Sequence, residues 1–295
     1  MNRREWAGLF AGGVMGAMFA SDAFGKISQK SSKVRGVQIG VQSYSFRDRS
    51  LDEALKAMNE IGLSSCELWQ GHLEPRSSEG KRVSRDEIKK WRMETPLSYF
   101  KDVRGKFDRA GVELYAFNYS FRDDFSDEEI ERGFQMAQAM GVKAITASST
   151  VSAAKRVDKY ASKYKVRVGM HNHDNLKDPN EYATPESFAK AMEGASPYMQ
   201  INLDIGHFTA ANFDPVEFLK QHHQHVVTLH IKDRKRDHGD NMPFGEGETP
   251  IKAVLALVRD SKWDIPANIE YEYKGEDAVA EVKKCLDYCR QALTA

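Results

Sequence analysis

Four places in the chain set histidine or carboxylate side chains at the end of a short apolar run, an arrangement suited to holding a metal ion. The run Asn202-Leu203-Asp204-Ile205-Gly206-His207 delivers an aspartate and, three residues on, a histidine. Val226 to Asp233 delivers His230, Lys232 and Asp233 in the same way, Ile269-Glu270-Tyr271-Glu272 delivers two carboxylates, and His171-Asn172-His173 closes an earlier run from Val166. Each residue alone has an ordinary explanation. A histidine at a strand end is usually a hydrogen-bonded one, and a terminal aspartate such as Asp204 usually caps the turn that follows. The coincidence of His, Asp, His and Glu at four successive tips calls for a common cause. Imidazole and carboxylate donors in that mixture suit Mn²⁺, Co²⁺, Mg²⁺, Fe²⁺ or Zn²⁺ rather than a thiolate-favouring site.

Such tips need elements to position them. From Val37 onward, short β-rich runs alternate with longer amphipathic ones. The alternation predicts strands at Val37 to Ser43, Ser64 to Trp69, Val112 to Asn118, Val142 to Ala147, Val166 to His171, Met199 to Asp204, Val226 to Ile231 and Ala267 to Tyr271. Helices fall between them, started by Ser50, Ser126 or Pro185 and stopped by Gly62, Gly111 and Gly141. A polar, Arg- and Glu-rich insertion is expected from Gly71 to about Glu94. Eight strand-helix units in order predict a parallel sheet covered by helices, closed as a (β/α)8 TIM barrel, an α/β single domain over residues 36–295. A doubly wound open sheet is the alternative, and its dinucleotide-binding form is disfavoured because no Gly-x-Gly-x-x-Gly follows the first strand.

In such a barrel the loops after the strands open on one face, and residues two apart on a strand point the same way. His171 with His173, His230 with Lys232, and Glu270 with Glu272 are therefore same-facing pairs. Tyr44, Glu67 and Asn118 reach the same face from the early strands. Arg234 to Asn241 reads as a charged loop over that face, either solvated or a lid. Phe244-Gly245-Glu246-Gly247 reads as the tight turn that positions it.

Composition narrows the partner. Lys plus Arg (43) equal Asp plus Glu (43), so no overall field favours nucleic acid, and a small molecule is the expected ligand. Cys66, Cys285 and Cys289 have no CxxC spacing and read as packing residues. Residues 1–35 are different in kind. Arg3-Arg4 precedes a Gly/Ala-rich run from Trp6 to Ala20, then Ser21 and Ala23. This resembles a twin-arginine export signal and implies an exported, periplasmic protein; a tail on a cytoplasmic protein is the alternative. The run is too short and glycine-rich for a stable membrane span.

Gly40-Val41-Gln42-Ser43-Tyr44-Ser45, His171-Asn172-His173, Asp204-Ile205-Gly206-His207, His230-Ile231-Lys232-Asp233, Phe244-Gly245-Glu246-Gly247 and Ile269-Glu270-Tyr271-Glu272 follow one another between about Val37 and Leu293. That ordered set resembles the xylose isomerase-like TIM-barrel superfamily, the sugar phosphate isomerase/epimerase group related to inosose dehydratases, ketose 3-epimerases and abasic-site endonucleases. The resemblance implies one divalent metal ion held by His171, Asp204, His230 and Glu270. It makes His173, His207 and Lys232, with Glu270, the groups that act on substrate or move protons. Glu67, Trp69 and Asn118 are candidates for lining the substrate pocket. The departure is His171, where many relatives carry a glutamate that serves as one of two acid/base carboxylates.

The expected activity is therefore a metal-dependent sugar or polyol isomerase or epimerase that abstracts a proton next to a carbonyl through an enediolate. Loss of a neighbouring leaving group would make it a dehydratase or lyase on an inosose or 3-keto-sugar, and His171 leans that way. A nuclease of the abasic-site type would need more histidines on the second and third strands, where only His72 stands nearby, and a basic face. A non-catalytic sugar-binding barrel would bind its ligand without metal. The sequence leaves the oligomeric state open, a homodimer included.

Overall fold

The computed structural model describes residues 31–76 and 83–295. The expected export signal, within residues 1–30, lies outside the described residues. Eight parallel strands form the barrel: β1 (Val37–Gln42), β2 (Ser65–Trp69), β3 (Glu113–Asn118), β4 (Ala144–Ala147), β5 (Arg167–His171), β6 (Met199–Asp204), β7 (Val226–Ile231) and β8 (Ala267–Ile269). Each pairs with its sequence neighbours, and β8 pairs with β1 through Ile269↔Val41, so the sheet closes as the strand count predicts. The barrel domain begins before residue 36. Lys33–Val34 pairs antiparallel with β1, and the buried Ser32 hydroxyl donates to Ile39 O at 2.6 Å.

The outer layer consists of α1 (Leu51–Ile61), α2 (Arg85–Glu94), α3 (Leu97–Ala110), α4 (Asp127–Met140), α5 (Ala154–Tyr164), α6 (Pro185–Met192), the short α7 (Ile205–Ala210), α8 (Pro215–His222), α9 (Ile251–Asp260) and α10 (Ala278–Thr294). Ser50 opens α1 with a capping box to Glu53, and Gly62 closes it at φ 83, a left-handed geometry that glycine adopts without strain. The expected insertion from Gly71 to Glu94 is corrected: it contains α2, opened by a second capping box from Ser84 to Glu87. Among the described residues no helix is long and apolar enough to cross a membrane.

The strands alternate in an unusual sense. Their apolar residues, such as Ile39, Leu68, Phe117, Met170, Leu203 and Ile231, join the large core cluster, which also takes in the helices. The alternate positions carry Gly40, Glu67, Thr146, Gly169, Asn202, Thr228 and Asn268, most of them buried polar groups bonded to one another. TIM-barrel interiors are ordinarily filled with branched apolar side chains; here a polar layer takes that place. Two bulges bracket it. Register shifts between Cys66 and Glu67 and between Ile201 and Asn202 leave Tyr115 and Val227 as extra residues on β3 and β7, and the Tyr115 hydroxyl donates to Val227 O at 3.0 Å.

Candidate metal centre and active site

Strand β5 ends at His171, β6 at Asp204, and β7 carries His230 one residue from its end, while Glu270 follows β8 directly. One ligand atom from each lies within 4.8 Å of the other three, and all four residues are buried. His171 Nε2 is 3.5 Å from Asp204 Oδ2 and 3.9 Å from Glu270 Oε2, and His230 Nδ1 is 3.0 Å from Glu270 Oε2. Donors about 2.1 Å from a metal sit about 3.0–3.4 Å apart in octahedral or tetrahedral arrangements; the His230–Glu270 pair already stands at that spacing, and the wider pairs would draw in by a few tenths of an ångström or more around an ion. His171 Nε2 and Asp204 Oδ2 are both buried without a hydrogen-bond partner among the described residues. Buried polar atoms are ordinarily satisfied; Asp204 Oδ2 has the Lys232 ammonium 3.2 Å away, and a shared ion would satisfy His171 Nε2 as well.

Asp204 keeps its ordinary role as well. Its Oδ1 accepts from His207 N at 2.7 Å and caps α7, which leaves Oδ2 for the cluster. The Asn172 side chain clamps its backbone, accepting from Asp204 N at 2.9 Å and donating to Asp204 O at 3.0 Å. Burial, with His230 and His173 nearby, pushes the His171 imidazole down to about 3 despite Asp204, so it is neutral and fit to be a ligand. Burial would also strip the proton from His230, but the flanking Glu67 and Glu270 carboxylates outweigh it and raise its basicity.

Glu67 corrects an expectation. It does not line the substrate cavity but lies fully buried beneath the cluster, 3.0 Å from His230 Nε2. Gln42 Nε2 (2.7 Å), Thr146 Oγ1 (2.6 Å) and Asn268 Nδ2 (3.3 Å) also donate to it. Were His230 to hold a metal, Glu67 on its far nitrogen would keep a proton on Nε2 and leave the lone pair of Nδ1 for the ion. The Asn202 amide lies 3.1 Å from the same Nε2, and its Oδ1 otherwise has no donor, so turning the amide lets Oδ1 accept from Nε2–H.

Lys232 reaches in from the end of β7. Its ammonium is 2.5 Å from Glu272 Oε2, 3.0 Å from Glu270 Oε2 and 3.2 Å from Asp204 Oδ2. Its shortest ion pair is the one to Glu272. Asp233 turns away, accepting from Gly245 N at 2.7 Å and Thr249 N at 3.1 Å to anchor the Phe244–Gly247 turn. Although burial opposes its charge, the three carboxylates raise Lys232 well above the usual lysine range. His207 lies between two cations, Nε2 at 3.0 Å from Lys232 Nζ and Nδ1 at 2.7 Å from Arg234 Nη1. Burial and Lys232 lower its basicity, so the ring is held neutral. His173 pairs with Glu181 at 2.7 Å, and its ring stands 5.3 Å from that of His207.

The charged loop is folded on itself. Asp233–Arg234 and Asn241–Met242 form a two-stranded hairpin, and buried Arg234 bonds Asp174 (2.9 Å) and Gly239 O (2.8 Å). A cavity of about 560 Å³ opens above the cluster. His173, His207, Lys232, Trp69 and Asn118 all line it. So do Gln70, Glu74, Arg85, Arg92 and Arg122, which sequence reasoning missed because they lie on the irregular segments after β2 and β3 and on α2.

The pattern of the xylose isomerase-like TIM barrel matches residues 55–292 of this chain. L-ribulose-5-phosphate 3-epimerase UlaE of Shigella boydii serotype 18 is 27% identical over 183 residues, which are 55% of this chain and 62% of that relative's length. Among solved structures, the probable 3-DHS dehydratase AsbF involved in petrobactin synthesis from Bacillus anthracis superposes with a TM-score of 0.62 at 16% identity, covering 84% of this chain and 97% of that one. An IolI protein with a bound zinc atom superposes with a TM-score of 0.61 at 15% identity, over 87% and 96%.

Proposed function

The chain belongs to the xylose isomerase-like TIM-barrel family, and from that membership and its strand tips we propose that it is a divalent-metal-dependent sugar or polyol isomerase or epimerase. The observation that carries the reading is the convergence of four buried donors at the base of an open cavity, with His171 Nε2 making no hydrogen bond among the described residues. A divalent metal held by His171, Asp204, His230 and Glu270 supplies Lewis acidity for a carbonyl and its neighbouring hydroxyl. The relative named as a ribulose-phosphate epimerase and the zinc in IolI support this class of chemistry.

The chain's own groups then divide the work. His207 and His173 line the cavity and are the imidazoles placed to move the proton next to the carbonyl, His207 on release of its hydrogen bond with Lys232. Lys232 is held as an ammonium and is thus a donor to a developing enolate oxygen rather than a base. Glu270 is held ionised, since Lys232 and His230 outweigh the effect of burial, which suits a ligand and leaves proton transfer to the imidazoles. Reprotonation completes an isomerisation. A second reading, elimination by a dehydratase or lyase, is favoured by His171, which removes the second acid/base carboxylate, and finds support in the AsbF likeness. We also place the protein outside the cytoplasm, on the strength of Arg3-Arg4 and the run after it; export of a fused reporter that stops on Arg3→Lys with Arg4→Lys tests this.

The test of the activity is metal analysis of the purified protein, followed by incubation of the loaded protein with keto-sugars and inososes in deuterated water, read by NMR. Stoichiometric metal and deuterium exchange at the carbon beside the carbonyl are expected. Ligand binding without metal and without exchange on any compound would point to a sugar-binding barrel instead.

A further inference from the structure

His72 is a half-buried histidine that the chemistry proposed above leaves unused, and it stands between the two turns that wall one side of the cavity. The turn after β1 (Ser43–Phe46) carries Tyr44 to the cavity, and the end of β2 with the turn Gln70–His72 carries Trp69 and Gln70 there. Ser43 Oγ accepts from Trp69 N at 2.8 Å and lies 2.9 Å from His72 Nδ1. His72 Nε2 lies 3.3 Å from Phe46 O.

These contacts assign the protons. A carbonyl only accepts, so Nε2 carries the hydrogen. Burial outweighs the Phe46 carbonyl and pushes the imidazole down to about 4, so Nδ1 keeps its lone pair. The Ser43 hydroxyl accepts from Trp69 N and therefore donates to Nδ1. The resulting chain runs from Trp69 to Ser43 to His72 to Phe46 and crosses between the two turns at every link. Around it the indole is closely held. Its ring meets Tyr44 edge-on at 4.9 Å and His72 edge-on at 5.5 Å, and a Cβ on Gly71 would come within 2.3 Å of it. The Arg76 guanidinium lies 5.0 Å over the ring, so the tryptophan is a fixed wall rather than an open stacking face.

We propose that His72 is a positioning residue: through Ser43 and Phe46 it sets where Tyr44 and Trp69 stand on the cavity wall, and with them the room left for substrate beside the metal centre. The proposal rests on the activity proposed above only in taking this cavity as the substrate site. A side chain that merely filled the space would hold the turns together by volume. His72 holds them by direction, because one ring nitrogen must accept and the other must donate. Ser43 is fully buried, so water does not replace the acceptor if His72 is lost.

The test compares His72→Phe, which keeps a ring without polar atoms, with His72→Asn, whose Oδ1 stands as many bonds from Cα as Nδ1 does and can still accept from Ser43. Long-range proton–nitrogen NMR of the unaltered protein should show His72 protonated on Nε2 and bare on Nδ1. Exchange of the Trp69 amide hydrogen should be about tenfold faster in His72→Phe and close to native in His72→Asn. For any compound that undergoes deuterium exchange, KM should rise about tenfold in His72→Phe with kcat within about twofold, the signature of binding lost equally from ground and transition states. Metal affinity should stay native in both variants. A proton on Nδ1, native Trp69 exchange in His72→Phe, or a His72→Asn protein no better than His72→Phe would overturn the proposal. Should His72→Phe fail to fold, Ser43→Ala cuts the same chain and should give the same faster exchange. The tautomer and the amide exchange need no substrate, so they decide the placement of His72 whether or not the activity is found.

Discussion

Replacing Glu67 by Gln tests whether the buried carboxylate beneath the cluster tunes metal binding. Glu67 accepts from Gln42, Thr146, His230 and Asn268 with no water-facing atom. A carboxylate has acceptor sites for all four, whereas an amide replaces one oxygen by two donors. The oxygen remains best placed toward Gln42 and Thr146, which approach most closely, so the NH₂ is turned on His230 Nε2. The ring must then either face donor against donor or move its proton to Nδ1, where it blocks the lone pair that a metal needs. Leaving one buried polar group unsatisfied costs about 1–3 kcal/mol, or about 5- to 150-fold in Kd. That range covers the 10–100-fold typical of partners behind a metal ligand. Competition with a chromophoric chelator at fixed pH gives the Kd for Mn²⁺, Co²⁺ and Zn²⁺. An unchanged Kd in a folded Glu67→Gln protein would falsify the tautomer argument.

Lys232→Met removes the cation beside Asp204, Glu270 and Glu272. The metal-free protein should lose about 3–5 kcal/mol of stability through its uncompensated carboxylates, metal should restore most of it and bind more tightly than before, and turnover should fall about 10²–10³-fold; weaker metal binding would contradict the placement of the ammonium. Gly206→Ala sets a Cβ 2.8 Å from Lys232 Cβ and Lys232 O, so the denaturation midpoint should drop by the equivalent of about 1–3 kcal/mol, and a variant with native midpoint and turnover would refute the close packing of α7 on β7. Arg234→Ala cuts the links to His207, Asp174 and Gly239, so amide exchange across residues 235–241 should accelerate while metal affinity stays native; unchanged exchange would show that the hairpin is held by other contacts.

The cluster was legible in the sequence because a strand's two-residue period converts neighbours in the chain into layers of one site. Gly169 and His171, Asn202 and Asp204, Thr228 and His230, and Asn268 and Glu270 each stack one polar or small residue beneath a tip residue. The same period explains the error at Glu67. It shares a face with Trp69 and lies one layer deeper, so the tryptophan reaches the cavity and the glutamate supports His230 from below. Helix α2 was hidden for another reason. Its one buried side chain is Arg92, stabilised by Glu74 and by Glu129 on α4, and pairing between such distant residues leaves no apolar periodicity to detect. Only the capping box at Ser84 and Glu87 marked it. Helix α7, six residues long, is too short for any period, and Asp204 as its cap was the available signal.

His171 links the electrostatics to the choice of reaction. With an imidazole there, the four donors carry two negative charges, from Asp204 and Glu270, which match those of a divalent ion, while Lys232 is balanced by Glu272. A glutamate at that position would add a charge and a second proton carrier on the β5 side. In its absence the remaining carriers are His173 and His207, whose rings stand 5.3 Å apart at the adjacent tips of β5 and β6. Epimerisation removes a proton from one face of a carbon and returns it to the other, so it calls for carriers on opposite sides of the substrate. Isomerisation between neighbouring carbons, and elimination toward a leaving group on the same side, need only one. Within the proposed chemistry, the pairing of His173 with His207 therefore favours same-face proton transfer over inversion.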